Sequence, residues 1–188
     1  ILWSIMRADG TKLAEWARGL DVVAEHATYL NITATHDGIG VRPTEELLTD
    51  AERQELVQHV LKHGGLMSAK RNSDGTESPY ELNISYFDAL THPQSEEPID
   101  LQVARFLVSQ AIPMALVGVP GIYIHSLLGS RSDLEGVKQT GRARSINRAQ
   151  VRIEDVEKEL LDEESLRGGV FAGMKRLLRV RTSRTAFS

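Results

Sequence analysis

An imidazole and a carboxylate stand side by side at His36 and Asp37, followed at once by the glycine-spaced turn Gly38-Ile39-Gly40. A carboxylate held in such a turn can stabilise positive charge that develops in a reaction. Asp before Gly is also an ordinary turn former, so the pair needs partners to count as a site. Three arginines, Arg142, Arg144 and Arg148, share residues 141–148, a run that by itself reads as a solvated basic patch. Tyr80 and Glu81 follow Ser78-Pro79 in a Pro-initiated turn, and Tyr123 and His125 lie two apart, on one face of an expected strand.

Other chemistries fail on spacing. His59 and His63 are four apart but lack the intervening Glu of a zincin and a third ligand, so they read as helix surface. The glycines at 38 and 40 have no third partner for a dinucleotide fingerprint, and no Gly-x-Ser-x-Gly supports Ser-His-Asp hydrolysis.

These side chains require elements to position them. Residues 29–35 are apolar and β-branched and predict a strand that runs into His36-Asp37. Delivering such a pair from the end of a strand is how a (β/α) barrel builds its active face. Leu13, Trp16, Ala17 and Leu20 predict a short amphipathic helix over 9–19. Thr49 with Glu52 fits a capping box, ahead of a helix that Gly64-Gly65 ends. Residues 68–79 are polar and predict a loop, 100–112 a buried helix, and 121–125 a strand after Pro120. Residues 132–147 predict a basic irregular loop, and 153–161 and 166–180 two helices. Alternating strands and helices indicate a parallel α/β unit, with an excursion over 42–90 long enough to carry function.

The chain has 188 residues, 26% of them charged, and a net charge of −4, which argues against a nucleic-acid surface. With no cysteine it has neither disulfides nor thiolate metal sites. No apolar run approaches the ~18 residues of a membrane span, and residues 1–6 are too short for a signal core. A cytoplasmic location is the default. The first residue is Ile, and Thr185-Ala-Phe-Ser188 follows a helix without an obvious terminus, so the chain reads as part of a longer protein.

Thr35-His36-Asp37-Gly38-Ile39-Gly40 resembles the fourth conserved region of the α-amylase superfamily, glycoside hydrolase family 13, and more narrowly its sucrose-phosphorylase branch. Residues 118–130 are similar to that family's Gly-Val-Pro-containing last barrel strand. Residues 141–148 resemble its Gly-Arg-Asp-Ile-Asn-Arg run, departing at Ala143 and Ser145. Ser78-Pro-Tyr-Glu-Leu-Asn83 is similar to its mobile acceptor-site loop. Glu81 stands where sucrose phosphorylase has Gln, and this form looks more like the phosphorylases of sucrose 6′-phosphate or glucosylglycerate.

The resemblance implies an α/β fold, the C-terminal portion of a (β/α)8 TIM barrel from about helix 6 to helix 8. A whole barrel needs about 250 residues, so residues 1–188 would be a partial catalytic domain, with its N-terminal half and a C-terminal β-domain elsewhere. It implies a retaining phosphorylase that transfers glucose from an α-glucoside to phosphate, giving α-glucose 1-phosphate. Asp37 would be the transition-state stabiliser, His36 and Arg144 would hold glucose, and Tyr80 and Glu81 would shape the acceptor or phosphate site. Lys70 or Arg71 could balance the charge of Glu81. The nucleophile and acid/base carboxylates would lie upstream, so the chain alone is expected to show no turnover. No metal or organic cofactor is implied, and no nucleic acid or membrane. An open half-barrel leaves sheet edges unpaired and is expected to aggregate or form a homodimer. The alternatives are a hydrolase or transglucosidase of the same superfamily, or a non-catalytic carbohydrate-binding remnant.

Overall fold

Two short helices, α1 (Leu2–Arg7) and α2 (Thr11–Arg18), open the chain, followed by β1 (Leu30–Ile32) and β2 (Ile39–Gly40). Next come α3 (Asp50–Lys62), the hairpin β3 (Leu66–Arg71) and β4 (Glu77–Asn83), α4 (Tyr86–Leu90) and α5 (Ile99–Ala115). The chain continues through β5 (Val119–Gly121), α6 (Ile124–Leu127), α7 (Leu134–Thr140), a 3-10 turn (Ala143–Asn147), α8 (Ile153–Leu160) and α9 (Leu166–Ser183). This computed structural model describes residues 1–21 and 24–185; the last three residues of the chain end noted above lie outside it. The chain divides into two compact units, one of residues 1–33, 96–129 and 151–188, the other of 34–95 and 130–150.

In the first unit the expected parallel pairing is present. β1 and β5 run parallel, with Leu30 opposite Val119 and Ile32 opposite Gly121. Helix α5 buries Val103, Phe106 and Met114, and α9 buries Val170 and Met174. The two helices approach closely at Gly173, where a Cβ would meet Leu107 Cδ1 at 2.2 Å. Carbonyls left open in the last turn of α5 and just beyond it are satisfied from two sides. Asn31 Nδ2 donates to Pro113 O (3.2 Å) and Val117 O (3.0 Å), and Arg181 donates to the carbonyls of Met114, Leu116 and Gly118.

Two expectations for this unit are corrected. The strand over 29–35 narrows to Leu30–Ile32. The second strand is Val119–Gly121 and includes Pro120, rather than 121–125. Val119 N donates to Tyr29 O (2.8 Å), so the proline nitrogen faces away from β1, toward an edge unpaired among the described residues. Tyr123 therefore sits at the N-cap of α6 and His125 within it. Their rings still approach edge-on at 5.4 Å, without the shared strand face.

The second unit is built on an antiparallel sheet in the order β2-β4-β3. The Thr49–Glu52 capping box is present at the start of α3, and Gly64 beyond its end takes φ +82°. Leu56, Val57 and Val60 of α3 join Leu82, Ile84, Phe87 and Ile146 in the core. The polar stretch 68–79 is mostly hairpin rather than loop. Only residues 72–76 turn, closed by Asn72 N donating to Thr76 O (2.8 Å), with Gly75 at φ +85°. Likewise 132–147 is not irregular, since it contains α7 and the 3-10 turn. Its two ends are pinned. Asp88, 1% exposed, accepts from Arg131 Nη1 (2.8 Å) and Ser132 N (2.7 Å), while Asp133 N donates to Ile146 O (2.9 Å).

His59 and His63 are not plain helix surface either. Both are half-buried, and they engage Ala89 O (2.8 Å, through Nε2) and Asp88 O (2.7 Å, through Nδ1). The His63 ring lies 4.1 Å from that of His59 and 5.2 Å from that of His92, and its burial depresses the His63 pKa. Among the described residues no group of three His, Cys, Asp or Glu could hold a metal ion, and no helix is long and apolar enough to cross a membrane.

Candidate functional site

His36, Asp37, Tyr80, Glu81, Arg142, Arg144 and Arg148 all belong to the second unit, whereas Tyr123 and His125 belong to the first. Thr35 and Gly38 exchange backbone hydrogen bonds (3.0 and 3.2 Å), making a tight turn with His36 and Asp37 at its tip. Asp37 N donates to Thr35 Oγ1 (3.1 Å). The Asp37 carbonyl accepts from Asn83 Nδ2 (2.8 Å), and Asn83 Oδ1 accepts from Ser68 Oγ (2.7 Å). Asn83 is 0% exposed, so the backbone of Asp37 is fastened through a buried amide to two strands of the sheet.

The Asp37 carboxylate, 28% exposed, faces two guanidinium groups and the His36 imidazole, and Oδ1 is the oxygen nearest to each. Arg148 Nη2 donates to it at 2.8 Å, and Arg144 Nη1 and His36 Nε2 stand 3.4 Å away. Arg148 Nε also donates to His36 O (3.3 Å). Arg144 makes a two-pronged pair with Glu81, Nε to Oε2 at 3.0 Å and Nη2 to Oε1 at 2.7 Å. Hydrogen bonding to Glu81 holds the Arg144 guanidinium above its usual pKa, desolvation opposes this, and the charges of Glu81, Asp37 and Tyr80 add to it.

Glu81 and Tyr80 are neighbours on β4 with different environments. The Glu81 side chain is 9% exposed and Tyr80 is 37% exposed. Ser68 pairs with Glu81 but Ala69 with Pro79, so Tyr80 is the extra residue of a β-bulge. Bulges re-aim side chains next to functional sites. The cation that balances Glu81 is Arg144. Lys70 and Arg71 lie opposite Ser78 and Glu77, further toward the hairpin tip.

The structure thus brings His36, Asp37, Glu81 and Arg144 into one network, with Tyr80 beside it. Arg142 stays outside, its backbone N donating to Thr140 Oγ1 (3.2 Å). Two members were missed from the sequence, Arg148 and Asn83. Each closes a run already singled out, 141–148 and 78–83, and neither run alone says what its last residue touches.

The chain is 42% identical over 187 residues to a glucosylglycerate phosphorylase of Allomeiothermus silvanus, a match that covers 100% of this chain and 34% of that protein. It is 39% identical over 187 residues to a glucosylglycerate phosphorylase of Escherichia coli strain K12, again across 100% of the chain and 33% of the relative. The chain is homologous from end to end to the glucosylglycerate and sucrose phosphorylases. The sucrose phosphorylase of Agrobacterium vitis is 30% identical over 201 residues, 100% of this chain and 36% of its own. A crystal structure of sucrose 6F-phosphate phosphorylase from Thermoanaerobacter thermosaccharolyticum shares the fold, with TM-score 0.80 and 23% identity over 99% of this chain and 35% of that one. No family model matches the chain. It spans about a third of the length of these phosphorylases.

Proposed function

We propose that residues 1–188 are the C-terminal part of the (β/α)8 catalytic barrel of a retaining glucoside phosphorylase, with glucosylglycerate as the donor. The observation that carries this reading is the convergence of Arg144 and Arg148 on Asp37 in a chain 42% identical to a glucosylglycerate phosphorylase. Retaining glycosyl transfer passes twice through an oxocarbenium-like state. A carboxylate nucleophile first displaces glycerate, which leaves with a proton from the acid/base residue. Phosphate then attacks the glucosyl-enzyme and gives α-glucose 1-phosphate. Both of those carboxylates belong, in this reading, to sequence outside residues 1–188.

Asp37 is the transition-state stabiliser. Its carboxylate binds glucose hydroxyls more tightly as charge develops on the ring. His36 and Arg144 hold the glucose, the guanidinium offering a rigid fork of donors. Tyr80, re-aimed by its bulge, shapes the acceptor or phosphate site. Glu81 supports that site through Arg144, since both of its oxygens already accept from that side chain.

The test is phosphorolysis by the natural protein that carries this segment, offered glucosylglycerate, sucrose or sucrose 6′-phosphate with and without phosphate. Glucose 1-phosphate from glucosylglycerate, abolished by Asp37→Asn to below about a thousandth of the rate, is expected. Glucose released equally without phosphate would make the protein a hydrolase, and no turnover with any donor would refute the reading.

A further inference from the structure

We infer that Arg148 is a positioning residue for Asp37, fixing the carboxylate and the turn that bears it; this rests on the role proposed for Asp37. Among the described residues, every side-chain hydrogen bond of Arg148 goes to the 36–37 turn, Nη2 to Asp37 Oδ1 (2.8 Å) and Nε to His36 O (3.3 Å). One planar guanidinium thereby bridges the carbonyl before Asp37 and the carboxylate itself. Rotation of the Asp37 side chain breaks one contact, and movement of the turn breaks both.

Arg144 cannot take this part. Its Nε and one Nη are committed to Glu81, and its remaining Nη stands 3.4 Å from Asp37, longer than a good charge-assisted bond. The two arginines therefore divide the work. Arg144 is locked by Glu81 with one amino group facing the site, whereas Arg148 is spent on the acid.

An arginine with a 48% exposed side chain usually fluctuates, and such ion pairs contribute little to stability. This one is anchored at its root. Arg148 N donates to Ser145 O (3.0 Å), Ile146 is 0% exposed, and Asn147 is 6% exposed. The Asp133–Ile146 hydrogen bond holds the same segment. On the other side the carbonyl of Asp37 is held by Asn83. With both backbones fixed, the guanidinium spans a set gap, so its effect falls on geometry at Asp37 rather than on folding.

The experiment uses the natural full-length protein and compares wild type, Arg148→Ala and Arg148→Lys in phosphorolysis of glucosylglycerate. Arg148→Ala is expected to lower kcat by about 10- to 100-fold, the range for a catalytic group displaced by up to an ångström. The KM for phosphate should change far less, and the melting temperature should hardly move. Lysine should recover part of the rate, because an ammonium reaches one acceptor but cannot bridge two. The side chain's exposure admits a replacement, so guanidinium chloride at tens of millimolar should rescue Arg148→Ala and leave wild type unaffected. Wild-type rate in Arg148→Ala, or a loss with a lowered melting temperature that neither lysine nor guanidinium restores, overturns the inference. Absence of phosphorolysis in the unsubstituted protein overturns the proposed function, and this inference with it.

Discussion

Gly38→Ala tests whether the turn beneath Asp37 is as rigid as the hydrogen bonds imply. Gly38 has φ +131°, and a Cβ there would sit 2.4 Å from Leu82 O. Carbon and oxygen do not approach below about 3.3 Å without strain, so something must move by almost 1 Å. Leu82 cannot retreat. It is 0% exposed and its strand is paired on both sides, with Ile39 on one and Met67 on the other. The turn must shift instead, and it carries Asp37 with it. Backbone strain adds about 1–3 kcal/mol, which lowers the melting temperature by about 2–4 °C per kcal/mol in a chain of 188 residues. A displacement near 1 Å should cost about 100-fold in turnover. The assay is phosphorolysis of glucosylglycerate beside a thermal melt, with Gly75→Ala as the control. Gly75 also has positive φ (+85°), but a Cβ there meets nothing within 4 Å. The control should lose some stability and keep its rate. Gly38→Ala with a rate like that of Gly75→Ala would refute the reasoning.

Glu81→Gln replaces one acceptor oxygen with a donor that faces a guanidinium, so the two-pronged pair with Arg144 cannot survive. A fall of roughly ten-fold in kcat/KM, the low end for losing a hydrogen bond to a charged group, should follow in steady-state assays of glucosylglycerate phosphorolysis. Burial lowers the pKa of His63 from 6.5, assisted by the neighbouring His59 and His92 and opposed by its bond to Asp88 O and the Asp88 charge. The unfolded chain then binds more protons than the folded one just below pH 6.5, so stability rises with pH across that window and falls as the medium is acidified through it. Denaturant melts at several pH values should show this slope, and His63→Asn should flatten it.

Parts of the fold were legible because they depend on local sequence. Thr49 and Glu52 announce their cap by type and spacing alone, and the apolar run over 100–112 announces a helix, although Leu101 and Val108 within it are exposed rather than buried. The His36-Asp37 turn and the arginine run were visible as composition, and the structure joins them. The hairpin was hidden because its exposed strands carry Ser68, Lys70, Arg71 and Glu77, polar residues that solvent tolerates on a strand once a partner strand supplies its hydrogen bonds. The strand at Pro120 was misplaced because the cost of proline depends on which edge its nitrogen faces, and pairing decides that. The bond from Arg148 to Asp37 joins residues 111 apart in the chain, and no periodicity reports a contact of that range.

The bulge at Tyr80 has a bearing on how such a protein can change length. Strand side chains alternate, so deleting one residue between the bulge and the sheet would turn Glu81 outward and abolish its grip on Arg144. Residues 72–76 lie beyond the last paired rung, Arg71 opposite Glu77, and additions there leave that alternation untouched. Insertions and deletions should therefore accumulate at the hairpin tip and be rejected between 79 and 83. The tip is then free to drift in length while Asp37 and its arginines keep their registration.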